Sequence, residues 1–242
     1  MISVTFTWDI PEAERLYRSW SRFYRDVQLG GPAFDDPGGE FVSGRFVKPG
    51  ITFTSRGCPK MCSFCTAWRR EGPIRELTIR DGYNVADNNL LACKAEHIDA
   101  VFEMLRKQSE SIRFSGGFDA ELMTERHVEL LKSIRLHHAY FAADYPGALP
   151  NLERVSVLMA DFHRNQKRCY VLIGESGESL SSAEKRLEKV YDLGFLPFAM
   201  LYRTDNSGTT GHTKEWRNLQ RKWCRPAAFQ AVMKAKAPTH DQ

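Results

Sequence analysis

Ile51-Thr52-Phe53-Thr54-Ser55-Arg56-Gly57-Cys58-Pro59-Lys60-Met61-Cys62-Ser63-Phe64-Cys65 starts as a short β-rich run and ends in a loop with three cysteines within eight residues. The run Ile51 to Ser55 predicts a strand, with the cysteines at its C-terminal end. Five more runs read the same way: Tyr83 to Asp87, Ser111 to Ser115, His138 to Ala142, Cys169 to Ile173 and Leu196 to Leu201. Their starts recur about every 27 to 32 residues, the length of a βα unit. Between them the apolar positions have helical spacing: Ile98, Val101, Phe102 and Leu105 share one face, as do Leu152, Val155, Leu158, Met159 and Phe162. Ser181 with Glu184 reads as a capping box, and Gly194 as the stop of that helix. Alternating strands and helices make an α/β fold with a parallel sheet, either open or curled toward a barrel, and six units make an incomplete barrel.

The ends read differently from the middle. Residues 9 to 26 predict a helix, Gly30 to Gly50 is a Gly/Pro-rich connection, and a polar loop, Thr204 to Thr213, precedes a basic segment with Trp216 and Trp223. The resulting organisation is a helical extension over residues 1–50, a barrel core over 51–203 and a basic helical extension over 204–242. The longest apolar runs, such as Leu196 to Leu201, are far too short for a bilayer, so no membrane partner is expected. Met1 to Asp9 lacks the basic start and apolar stretch of a signal peptide, which predicts a cytoplasmic location. Six cysteines in 242 residues do not suggest a disulfide scaffold, and three of them cluster while Cys93, Cys169 and Cys224 stand alone. That clustering points to metal chemistry. The net charge of +4 is compatible with an anionic partner but decides nothing.

The cluster has the form CxxxCxxC with Phe64 immediately before the last cysteine. Three thiolates on a tight loop can bind three irons of a cubane, whereas full ligation takes four, so one iron is left open to a small molecule. A closed zinc site wants four ligands, usually as two separated pairs, and the chain has no second CxxC. The segment resembles the radical S-adenosylmethionine superfamily, whose CxxxCx(aromatic)C motif follows the first strand of a partial βα barrel. The resemblance covers residues 51 to about 203. It implies a partial (β/α)6 barrel of parallel strands with short N-terminal and C-terminal helical extensions. It further implies a four-iron four-sulfur (4Fe-4S) cluster on Cys58, Cys62 and Cys65, S-adenosyl-L-methionine as second cofactor, and an electron donor such as flavodoxin or ferredoxin. The function so implied is reductive cleavage of S-adenosylmethionine, giving a 5′-deoxyadenosyl radical that takes hydrogen from an unidentified substrate.

The same resemblance gives cofactor-binding positions at Asp87, Asn88 and Asn89, which end the second strand, and at Ile173 and Gly174, which end the fifth. Phe64 on the cysteine loop is a further candidate, and Ser115, Gly116 and Gly117 after the third strand join them because paired glycines let a backbone approach a ligand closely. The second motif reads Asp-Asn-Asn where Gly-Gly-Glu is usual in the family, and Glu175-Ser176 stands where an apolar residue and Pro are common. A barrel gathers strand ends at one mouth, so Asp119, Asp144 and Arg203 are candidate catalytic residues. Asp26 to Pro32, Arg56 to Pro59 and Glu71 to Leu77 look similar to the cobalamin-associated subgroup. Only 57 residues precede Cys58 and no Asp-x-His-x-x-Gly motif occurs, so the cobalamin-binding domain is expected to be largely missing, leaving an N-terminal remnant and no cobalamin. His137-His138 enters a strand with opposite facings and gets no role.

Two basic features stand at the ends. Arg15, Arg18, Arg22 and Arg25 line one side of the first helix, with Leu16, Trp20 and Phe23 on another. The C-terminal run carries Lys214, Arg217, Arg221, Lys222 and Arg225, with Trp216, Leu219 and Trp223 on a face expected to dock onto the barrel. These ends keep two rivals open: a radical enzyme that modifies RNA or DNA, and a zinc-containing nucleic-acid-binding module without catalysis.

Overall fold

The computed structural model describes residues 1–4, 6–36, 44, 47–175, 177–203 and 212–236. The chain divides into two compact units, Met1–Phe118 with Glu129–Leu136 and Arg203–Gly211, and Asp119–Val128 with His137–Tyr202 and His212–Gln242. Parts of the expected Gly/Pro-rich connection and of the polar loop before Thr213, together with Ser176, lie outside the described residues. The fold is mixed α/β; each unit holds three neighbouring strands of parallel sheet, and the first holds a separate two-stranded parallel pair besides.

The first unit opens with a minimal β-α-β turn. β1 (Ile2–Ser3) pairs in parallel with β2 (Leu29–Gly30), and α1 (Ile10–Trp20) connects them. Val4, Ala13 and Ala33 form its buried core, with Ile2, Ile10 and Leu29 packed against it. The helix predicted over residues 9 to 26 therefore stops at Trp20, and its aromatic side stays uncovered: Trp20 is 49% and Phe23 80% exposed.

There follow β3 (Ile51–Thr52), β4 (Ser55–Arg56), α2 (Ala67–Glu71), β5 (Arg75–Glu76), β6 (Asn84–Val85), α3 (Ala95–Arg106) and β7 (Ile112–Phe118), and then α4 (Glu125–Lys132), whose residues 125–128 fall in the second unit and 129–132 in the first. β6 lies between β3 and β7 in parallel register, Ile51 opposite Asn84 and Val85 opposite Phe114. β4 instead pairs antiparallel with β5. The sequence predicts one strand over Ile51 to Ser55; the structure ends it after Thr52, because the Asp87 carboxylate takes the Thr54 amide N–H. All four residues of the predicted face of α3 are buried, and Phe102 meets Phe114 of β7 with ring centroids 5.7 Å apart.

The second unit holds β8 (Leu136–Ala142), α5 (Leu149–Leu158), β9 (Lys167–Ile173), α6 (Leu180–Asp192), β10 (Leu196–Leu201), α7 (Lys214–Trp223) and α8 (Pro226–Lys236). β9 is flanked in parallel by β8 and β10, with Phe141 opposite Cys169 and Phe198 opposite Tyr170. Burial alternates along β9, where Lys167, Cys169, Val171 and Ile173 are buried and the residues between them half-buried, the period of a strand. Tyr140 and Tyr170 stack at 4.0 Å, and Phe198 meets both edge-on. The N-cap of α6 is Ser179, whose hydroxyl accepts from the Ser182 amide at 3.1 Å, so the cap sits two residues before the predicted box. Gly194 ends the helix as expected, at φ +85°. α7 packs against β10 through Leu219 and Trp223, and Trp223 stacks on Phe229 of α8 at 5.3 Å. No helix among the described residues is long and apolar enough to cross a membrane.

Candidate functional site

The cysteine loop leaves β4 through Gly57, which has φ +85° and no room for a side chain: a Cβ there would lie 2.1 Å from the Pro73 carbonyl oxygen. The Cys58 amide donates to the Gly72 carbonyl at 3.1 Å, tying the start of the loop to the end of α2. The Cys65 amide and the Trp68 indole N–H both donate to the Cys62 carbonyl, at 3.1 and 3.0 Å. Cys58, Cys62 and Cys65 are half-buried thiols. Among the described residues, no group of three or more His, Cys, Asp or Glu side chains is placed to hold a metal ion.

Three consecutive side chains after β6 grip this loop and the strand before it. The Asp87 carboxylate is 2% exposed and accepts from the Thr54 amide (2.7 Å), the Thr54 hydroxyl (2.6 Å) and the Ser55 hydroxyl (2.7 Å). Asn88 Oδ1 accepts from the Gly57 amide at 3.2 Å. Asn89 Nδ2 donates to the Cys58 sulfur at 3.6 Å. Burial pushes the Asp87 carboxyl above its ordinary value, and the Thr54 and Ser55 hydrogen bonds pull it back.

A second set of partners comes from α2. Glu71 is 4% exposed; its carboxylate is bonded by Arg70 Nη2 at 2.6 Å and lies 3.4 Å from the Gly57 amide and 4.0 Å from Arg56 Nη1. Arg56 rests on the Phe53 ring at 3.9 Å, and burial lowers its guanidinium below the ordinary value against the opposing pull of Glu71. Thr54, Ser55, Trp68 and Glu71 have no signature in the sequence, since their roles depend on partners brought together by folding.

The other expected positions lie as follows. Phe64 is half-buried on the cysteine loop. The Ser115 hydroxyl donates to Asn84 Oδ1 at 2.8 Å. A Cβ on Gly116 would lie 1.9 Å from the Asp87 carbonyl oxygen, so the glycine admits a neighbouring strand's backbone. Gly117 has φ +95°. Asp119 Oδ1 accepts from the Glu121 amide at 3.1 Å, holding a turn. Arg203 is exposed, its guanidinium 4.8 Å from the Trp8 ring.

In the second unit, Ile173 is fully buried, and a Cβ on Gly174 would lie 2.8 Å from the His212 ring. The Gly174 amide donates to Glu178 Oε2 at 2.9 Å, and Glu178 Oε1 is paired with Arg186. Arg186, 5% exposed, also donates to the carbonyls of Ala143 and Leu172, each at 2.8 Å, pinning the ends of β8 and β9 together. Asp144 accepts from the Leu172 amide at 2.9 Å beside them. The first unit thus brings Cys58 together with Asp87, Asn88, Asn89 and Gly116, while the second gathers Asp144, Gly174, Glu178 and Arg186 around its own strand ends.

Among protein-family models none matches this chain, and comparison with curated proteins finds no match either.

Proposed function

We propose that the chain is a radical S-adenosylmethionine enzyme, with a 4Fe-4S cluster on Cys58, Cys62 and Cys65 and a fold that continues as a partial (β/α)6 barrel. The observation that carries this reading is the grip of Asp87, Asn88 and Asn89 on Thr54, Ser55 and the start of the three-cysteine loop that leaves β4. The donor set fits the group: three thiols on one loop, and an amide N–H aimed at one sulfur of the kind that tunes iron-sulfur centres. Ligation would draw the three side chains together between loop ends already fixed at Gly72 and at Trp68. When bound, the cluster and its cofactor would supply one-electron cleavage of a sulfonium to give a carbon radical.

This chain's own residues hold the stage for that chemistry. Asp87 locks Thr54 and Ser55, Asn88 and Glu71 hold the Gly57 amide, and Asn89 donates to the Cys58 sulfur, where it favours the more negative, reduced state. An electron donor such as flavodoxin or ferredoxin and a reducing cytoplasm fit this reading. Anaerobic reconstitution with iron and sulfide tests it. The expected result is iron and sulfide bound in equal amounts, with 5′-deoxyadenosine formed from S-adenosylmethionine and dithionite, both lost when the three cysteines are changed to alanine. Zinc without sulfide in the purified protein, or a loaded cluster that forms no 5′-deoxyadenosine, overturns the proposal.

A further inference from the structure

We infer that the exposed face of α7 binds the phosphate backbone of duplex DNA. The helix reads Lys214-Glu215-Trp216-Arg217-Asn218-Leu219-Gln220-Arg221-Lys222-Trp223. Its rotation is fixed by Leu219 and Trp223, which are buried against the second unit. The opposite side is set by the same rotation: Lys214, Arg217, Asn218 and Arg221 are all exposed and fall at i, i+3, i+4 and i+7. That spacing makes one stripe about 10 Å long on a rigid helix. Arg225, exposed just past the helix end, continues the positive charge.

The row carries little counter-charge. Among the described residues, Lys214, Arg217, Arg221 and Arg225 form no salt bridge, whereas Lys222, on the helix flank, is paired with Glu184 at 2.5 Å. Glu215 is the single acid of α7; its carboxylate is held chiefly by the Thr213 hydrogen bond and is attracted to Arg217 as a lesser effect, so the row keeps a net positive charge. Like charges one turn apart repel, a cost that an external polyanion removes. A convex row of cations offers no cavity for a single phosphate and suits a ligand whose charges repeat. Duplex DNA carries one charge per about 1.7 Å of axis, and its major groove, about 12 Å wide, admits a helix. The deep, narrow major groove of duplex RNA does not, and the stripe has no aromatic residue on which single-stranded bases would stack.

The inference is independent of the cluster, so it is tested on the full chain with or without iron. Fluorescence anisotropy with a labelled DNA duplex should show binding whose log affinity falls with log salt at a slope of about −3, from three to four phosphate contacts. The double variant R217E/R221E should weaken binding at least about tenfold and flatten the slope, while R22E, on the exposed end of the first unit's helical segment, should leave both unchanged. Circular dichroism of each variant shows whether α7 is still folded, and R217A/R221A, milder for the helix, should show the same loss. The inference falls if the wild type shows no salt-dependent binding, if the α7 variants bind as well as wild type, or if single-stranded RNA binds more tightly than the duplex.

Discussion

Individual side chains in this protein act mainly by filling hydrogen-bonding needs of backbone brought together from distant sequence. Asp87 meets three donors of residues 54 and 55, and Arg186 meets two carbonyls at strand ends, so each is a polar group buried with its partners supplied. Asp144 is the less comfortable case. Burial pushes its carboxyl up to about 6, with the Leu172 amide and Arg186 pulling down and Glu175 pushing up. Because the folded value lies above the unfolded value of about 3.9, the folded chain holds this proton longer. The contribution is therefore complete below pH 4 and is lost as pH rises through about 6. Asp144→Asn keeps an oxygen for the Leu172 amide and never ionises. Its stability relative to wild type should rise with pH, reaching an advantage of about 3 kcal/mol at neutral pH. Urea denaturation at pH 4.5 and pH 7 checks this, and an unchanging difference between the two proteins would refute it.

Among the elements, β7 shows most clearly how a strand is fitted to its neighbour. It runs three residues past the predicted end, through Gly116, Gly117 and Phe118, and at Gly116 it passes the Asp87 carbonyl with no space for a methyl group. Gly116→Ala sets a new carbon against backbone on the strand that presents Asp87, Asn88 and Asn89, and should cost about 3 kcal/mol. Gly177→Ala is the comparison: nothing lies within 4 Å of its Cβ, and only its φ of +86° opposes the change, at about 1 kcal/mol. Equal losses in chemical denaturation would remove the close approach as the reason for the glycine. The same strands show what the sequence makes legible. α3, β9 and β10 follow from apolar periodicity, because one face of each meets the core along its whole length. The break after Thr52 is not legible, since it depends on a carboxylate 33 residues away, and the α6 cap shifts to Ser179 because Ser179, Ser181 and Ser182 are chemically alike.

Across the whole molecule the six cysteines separate by environment in a way that follows their spacing except at Cys224. Cys58, Cys62, Cys65 and Cys224 are half-buried, while Cys93 and Cys169 are buried. Burial raises the Cys93 thiol to about 11 and drives Cys169 well above its ordinary value, so neither offers a thiolate at moderate pH. Clustering in the sequence pointed to the first three; that Cys93 and Cys169 are inert is a property of the cores around them. Alkylation of the metal-free protein at pH 8, read by mass spectrometry, should label the loop cysteines and Cys224 first. Cys93 and Cys169 should react at least about 100-fold more slowly until the chain is unfolded. After loading with iron and sulfide, Cys58, Cys62 and Cys65 should become protected while Cys224 still reacts. If Cys224 is protected with them, a fourth thiolate is engaged and no iron is left open for a cofactor, which would leave the cluster a structural or electron-transfer centre.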